Sequence, residues 1–145
     1  MPTSAFTLYQ DLREQTLKGV HNFSSHTLKI AFTNSAPNVA THTVLADIGQ
    51  IATGGGYTGG AGGGLTLDSV TYIESGGVGA LAAIDEVFTA SGGSVGPFRY
   101  VVLYNDTPTS PVDPLIGYWD YGSSITLPDG DTFTLDLGPN IITLS

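Results

Sequence analysis

Residues 131–137 read DTFTLDL, in which Phe133, Leu135 and Leu137 alternate with Thr132, Thr134 and Asp136. Successive side chains on an extended strand point to opposite faces, so this period of two predicts a strand with one face buried and the other wet. TLKIAF repeats the pattern, with Leu28, Ile30 and Phe32 alternating with Thr27, Lys29 and Ala31. In LTLDSVTYIE, Leu65, Leu67 and Ile73 fall on one face and Val70 and Tyr72 on the other. FRYVVLY (98–104) and LIGYWDY (115–121) are apolar on both faces. That predicts central strands covered on both sides.

The breaks between these segments are made of turn residues. Pro128-Asp129-Gly130-Asp131 separates SITL from DTFTLDL and predicts a β-hairpin. Ser91-Gly92-Gly93-Ser94 separates EVFTA from PFRY, and Asn105-Asp106-Thr107-Pro108 opens a longer loop ending near Pro114. A helical period occurs once, in residues 4–20, where Phe6, Tyr9, Leu12, Leu17 and Val20 recur on one side. Thr3 or Ser4 is placed to cap its start and Gly19 to end it. The chain is 145 residues long, enough to bury one core. The expectation is a single all-β domain over 1–145: a β-sandwich or jelly-roll-like barrel over 26–145 behind an N-terminal α-helix over 4–20. Strand–helix–strand alternation is missing, which argues against a doubly wound nucleotide fold.

Residues 54–64, GGGYTGGAGGG, hold eight glycines in eleven positions. A phosphate loop needs Lys and Ser or Thr after its last glycine, on a turn into a helix. Here Gly64 is followed by Leu65-Thr66-Leu67, and no lysine occurs after Lys29. The expectation is a backbone-dominated loop with Tyr57 at its centre. Such a loop is either mobile in the free protein or ordered by a neighbouring subunit.

The same test disposes of other chemistry. There is no cysteine, hence no disulfide or thiolate metal site. His21, His26 and His42 lack the spacing of a zinc motif and read as loop histidines. No serine lies in a nucleophile-elbow pattern. Asp85 and Glu86 are strand neighbours, so they point to opposite faces, and Asp129 and Asp131 belong to a turn. No catalytic residue, cofactor or metal is therefore expected. Tyr118, Trp119 and Tyr121 form the aromatic cluster that could make a sugar platform, although strand aromatics mostly fill cores.

The net charge is −9, from 13 acids and 4 bases. Residues 1–29 carry three bases and two acids, and residues 30–145 carry eleven acids and only Arg99. Such a surface repels nucleic acid and anionic membranes. No run of about 18 apolar residues predicts a membrane span. The N-terminus lacks a basic segment followed by an apolar block, so a secretory signal is not expected and synthesis and residence in a cytoplasm are.

Four stretches carry a resemblance: LKGVHNFSSHTLKIAFTNSAP, NVATHTVLADIGQIATGGGYTGG, SGGSVGPFRYVVLYNDT and PLIGYWDYGSSITLPDGDTFTLDLG. Together they resemble a family of small proteins encoded among the virion structural genes of tailed bacteriophages and prophages. The likeness runs over about residues 5–144. It implies a structural role in the particle and no enzymatic activity. On that basis the expected protein is a capsid decoration (cement) protein on the capsid exterior. It would be made in the host cytoplasm and bind the major capsid protein or other virion proteins as a homo-oligomer, a dimer or trimer. The alternatives are a tail, neck or fibre-associated adaptor or receptor-binding domain, and a virion-borne carbohydrate-binding domain. The residues expected at the protein interface are Phe6, Tyr9, Leu12 and Leu17 on the helix, and Tyr57 in the glycine tract.

Overall fold

The computed structural model describes residues 6–145. The described chain is mostly β-strand in several antiparallel sheets, with one short helix near the N-terminus. In chain order the elements are β1 (Thr7–Leu8), α1 (Asp11–Leu17), β2 (Leu28–Thr33), β3 (Leu65–Thr66), β4 (Thr71–Ser75), β5 (Val78–Ala82), β6 (Glu86–Thr89), β7 (Val95–Asn105), β8 (Leu115–Leu127), β9 (Thr132–Leu135) and β10 (Ile142–Leu144). A 3₁₀ turn at Leu45–Asp47 lies between β2 and β3.

The frame is a five-stranded sheet in the order β1-β8-β7-β2-β3. Its centre is the long β7–β8 pair, and β7 also pairs with all six residues of β2. β7 and β8 are the segments whose sequences are apolar on both faces, and both faces are covered. β2, expected to keep one face wet, is covered on both as well, because it lies between β7 and β3 with Ala31 in the second cluster and Thr33 buried. On one face Ile30, Phe32, Phe98, Val101 and Trp119 join a large core cluster. On the other, Ala31, Val102, Tyr104 and Leu115 pack with Tyr9, Leu45 and Ile48. The large cluster also takes Phe88, Phe133 and Leu135 from the two-stranded β6–β9 sheet, and Leu81 from the three-stranded β10-β5-β4 sheet. Phe32 is its hub: it stacks on Phe98 at 4.3 Å and Tyr57 at 5.2 Å, with Phe88 and Phe133 edge-on. The expected all-β fold with one helix near the N-terminus is what the described residues form, arranged as three antiparallel sheets.

Three expectations are corrected. The helix over 4–20 is one of seven residues, Asp11–Leu17, preceded by a strand. Thr7 and Leu8 pair with Tyr118 and Gly117 of β8, so sheet hydrogen bonding takes the residues that the helical period had claimed. Thr3 and Ser4, the expected caps, lie outside the described residues. The C-terminal end is as expected: Gly19 has φ +76°, its N–H donates to the Thr16 carbonyl, and Val20 donates to the Gln15 carbonyl. That is the six-to-one and five-to-two pairing of a left-handed glycine stop.

The segment LTLDSVTYIE does not run as one strand. It breaks at Ser69, φ +51°, into β3 of the large sheet and β4 of the three-stranded one. The expected hairpin between SITL and DTFTLDL is a turn without a hairpin. Asp131 donates to the Pro128 carbonyl at 3.0 Å, but β9 leaves β8 and pairs with β6, setting Phe133 opposite Phe88. Leu127 of β8 pairs back to Val95 instead. Alternation told which face of β9 is buried, and burial of Phe133 and Leu135 in the shared core selected the partner.

Candidate interaction surface

The expected interface residues are mostly core. Tyr9 is fully buried and Leu12 nearly so, and Phe6 packs its ring 4.5 Å from Trp119. Tyr57 is 1 % exposed. Its hydroxyl accepts the Phe32 N–H at 3.0 Å, and burial pushes its pKa up to about 12. It serves β2 where β3 has ended, completing the strand's hydrogen bonding in place of a neighbour. Of the five, only Leu17 faces solvent, 90 % exposed. A buried side chain cannot dock a partner without unfolding its own core, so Tyr9, Leu12 and Tyr57 are corrected to structural roles, while Phe6 is half-buried against Trp119.

The glycine tract is ordered by the chain's own contacts. Gly54 and Tyr57 exchange backbone hydrogen bonds at 2.9 and 3.0 Å around a tight turn. Gly62 donates to Asp113 at 3.1 Å and accepts from Lys29 Nζ at 2.8 Å. The Tyr104 hydroxyl donates to the Gly63 carbonyl. Gly64, φ +91°, lies so close to β2 that a Cβ would overlap the Ile30 carbonyl oxygen. The tract is a plug laid against β2, and no side chain fits in that gap.

The polar groups that could carry chemistry are each committed to a partner within the chain. Lys29 pairs with Asp106 at 3.1 Å. Asp113 is buried, and burial raises its pKa, with the Gly62 N–H acting in the opposite direction. Glu86, raised by burial, accepts the Asp68 N–H, and Asp85 accepts the Leu137 N–H. Arg99 makes a two-pronged contact with Asp120, at 2.8 and 3.1 Å, which holds the Asp120 carboxyl below its usual range. Trp119 is only 4 % exposed and Tyr121, half-buried, leans on Phe133, so these aromatics pack with the core, as strand aromatics mostly do. An apolar cleft of about 600 Å³ lies between the 3₁₀ turn and the tract, lined by Leu45, Ile48, Ile51, Ala61, Val112 and Asp113. Its one acid already holds Gly62. Among the described residues no group of three or more His, Cys, Asp or Glu side chains could hold a metal ion, and no helix is long and apolar enough to cross a membrane.

Sequence reasoning missed a histidine cluster. The Asn105 side-chain amide, fully buried, sits 3.1 Å from His21 Nδ1 and 2.9 Å from His26 Nδ1. Two N–H bonds meet two acceptors only if both rings present a bare Nδ1. His26 Nδ1 also accepts the Asn22 N–H at 3.2 Å, and His42 Nδ1 accepts the Asn38 N–H at the same distance. The repeated Asn-x₃-His spacing was the available signal for those two local turns. Nothing in the sequence joined the first of them, or His21 beside it, to Asn105, about 80 positions away.

Burial, and then the neighbouring His26, lower the His21 pKa from 6.5 to about 4, with Asp11 acting weakly in the opposite direction. Between those values the unfolded chain binds a proton at this site that the folded chain refuses. Stability from this group is therefore complete above pH 6.5 and is lost as pH falls toward about 4. After discounting the full shift for the ring's partial solvation, the loss is about 2 kcal/mol. Urea titrations of the parent and of His21→Phe should diverge at neutral pH and converge by that amount toward about pH 4. Parallel profiles would clear His21 of the effect.

Exposed apolar side chains gather on the three-stranded sheet. Tyr72, Ile73, Val78 and Leu144 are 52, 67, 37 and 70 % exposed. A shallow groove of about 270 Å³ runs between Phe23, Tyr72, Glu74 and Leu144. Every residue of β4 is exposed, and among the described residues no strand pairs with its outer edge. The chain matches no protein-family model, no curated protein and no solved structure.

Proposed function

We propose that this chain is a non-enzymatic structural protein of a tailed-phage or prophage virion, acting as a capsid decoration protein on the outer surface of the major capsid protein lattice. The observation that carries the interaction role is the exposed apolar side chains of β4, β5 and β10. Tyr72 and Leu144 lie on one face of this sheet and Ile73 and Val78 on the other, and exposed apolar side chains gathered on one small sheet mark a contact region. The resemblance described above supplies the particle, and the acidic surface suits an exterior that touches protein rather than packaged DNA. Each copy would add a modest interface energy, multiplied over the lattice. The contact face moves from the N-terminal helix to the three-stranded sheet, because Tyr9 and Leu12 are buried and only Leu17 of the expected helix residues faces solvent.

Copy number tests this reading. Quantitative mass spectrometry of purified particles should count the chain at levels comparable to the capsid protein. A ring-like count of about six or twelve would move it to the neck or tail. Absence from particles would overturn the virion reading altogether.

A further inference from the structure

We propose that β4 is the dimerisation edge of this protein and pairs antiparallel with β4 of a second copy, centred on Ile73. Its inner edge is fixed by the hairpin to β5. Gly76 and Gly77, with φ +59° and +84°, form a two-residue turn, and Ser75 stands opposite Val78. In such a hairpin the residues flanking the turn exchange backbone hydrogen bonds, and the exchange recurs at every second pair. Ser75, Ile73 and Thr71 therefore bond inward to Val78, Ala80 and Ala82. Tyr72 and Glu74 direct their N–H and C=O groups to the free edge.

Those four groups are self-complementary. When two β4 strands lie antiparallel about Ile73, Tyr72 meets Glu74 of the second copy and Glu74 meets Tyr72. All four outward groups on each strand are then satisfied. Ile73 faces its own copy at a non-hydrogen-bonded position, where Cα atoms approach to about 4.5 Å and side chains touch closely. Thr71 falls opposite Ser75, so the flanks are small and polar. The register that would set Glu74 against Glu74 is penalised by like charge. Five residues overlap fully, the 67 % exposed Ile73 is covered, and two three-stranded sheets become one of six.

Solvent-facing edges are ordinarily blunted by Pro, by charged side chains, Lys above all, or by a bulge. TYIES has no Pro or Lys and pairs with β5 without interruption, and its one charge, Glu74, is turned back to accept the Gly77 N–H at 2.8 Å. A foreign strand could add here, but it would have no reason to match the register symmetry about Ile73. The pairing is a property of the chain and stands whether or not the virion reading does. Its area is that of one strand contact, so association in free solution is weak, and it strengthens where a scaffold holds copies side by side. Two bodies of charge −9 repel, so added salt should favour the dimer.

The chain has no cysteine, which makes the test clean. In an Ile73→Cys variant, mild oxidation should yield a covalent dimer far faster than in Leu17→Cys, whose position is even more exposed. The expected spacing matches that of a disulfide. Sedimentation should show concentration-dependent dimers of the unmodified protein. Ile73→Lys and Ile73→Glu should each weaken dimerisation by about tenfold or more, since like charges would then meet on the axis. An equimolar mixture of the two should restore it. Monomers at every concentration and salt, equal oxidation of the two cysteine variants, or a dimer indifferent to Ile73→Lys would each overturn the proposal.

Discussion

Gly64→Ala is expected to cost about 3 to 5 kcal/mol, enough to unfold much of the population at ambient temperature. Two penalties combine. The backbone sits at φ +91°, where an L side chain is strained by about 1 to 2 kcal/mol. The added Cβ would also overlap the Ile30 carbonyl oxygen, which belongs to β2 and cannot yield without disturbing its ladder to β7. Gly60→Ala separates the two effects. Gly60 has φ +86° but open space around it, so only the conformational penalty should appear. Urea unfolding of both variants measures the difference. Equal losses would mean that β2 does not confine the tract, and that the glycines serve turn geometry alone.

Removal of residues 1–20 is expected to abolish folding of the remainder. The segment supplies Tyr9 and Leu12 as buried core, and Phe6 and Leu8 pack partly against it. At about 1.5 to 3 kcal/mol per buried side chain, the loss is about 5 kcal/mol or more. That is comparable to the whole stability of a small domain. The deletion also strips the edge of β8 and uncovers the cluster around Val102, Tyr104 and Leu115. Circular dichroism and near-ultraviolet spectra should show the truncated chain unfolded or loosely packed. A cooperative thermal transition close to that of the full chain would restore the idea of a detachable docking helix.

These two results bear on how far residue patterns can be read. Alternation in β2 and β9 marked Leu28, Ile30, Phe32, Phe133 and Leu135 as buried, and all five are. The two-sided apolar segments became β7 and β8 at the heart of the large sheet. The N-terminal pattern misled because Phe6, Tyr9 and Leu12 suit one face of a helix, yet Thr7 and Leu8 found a strand partner in β8. Tyr57 misled because a tyrosine among glycines looks exposed. Only the fold brings the Phe32 N–H within 3.0 Å of its hydroxyl. Local spacing cannot reveal a partner 25 positions away.

The contact surface divides along the same line. Tyr72 and Ile73 were legible as strand residues, with no sign of which face would stay wet. Their exposure follows from the break at Ser69, which takes β4 out of the large sheet and leaves it at an edge.

By itself the sequence determined the strand character, the inward face of β9, the glycine stop after the helix and the lack of a phosphate-loop lysine. All of these follow from steric and periodic rules acting over a few residues. Strand partners, the packing of the glycine tract against β2, the Asn105 contacts with His21 and His26, and the free edge of β4 were decided by the tertiary structure alone. They depend on which distant segments share one core, and burial of apolar area, being non-directional, leaves that choice to the packing of the whole chain.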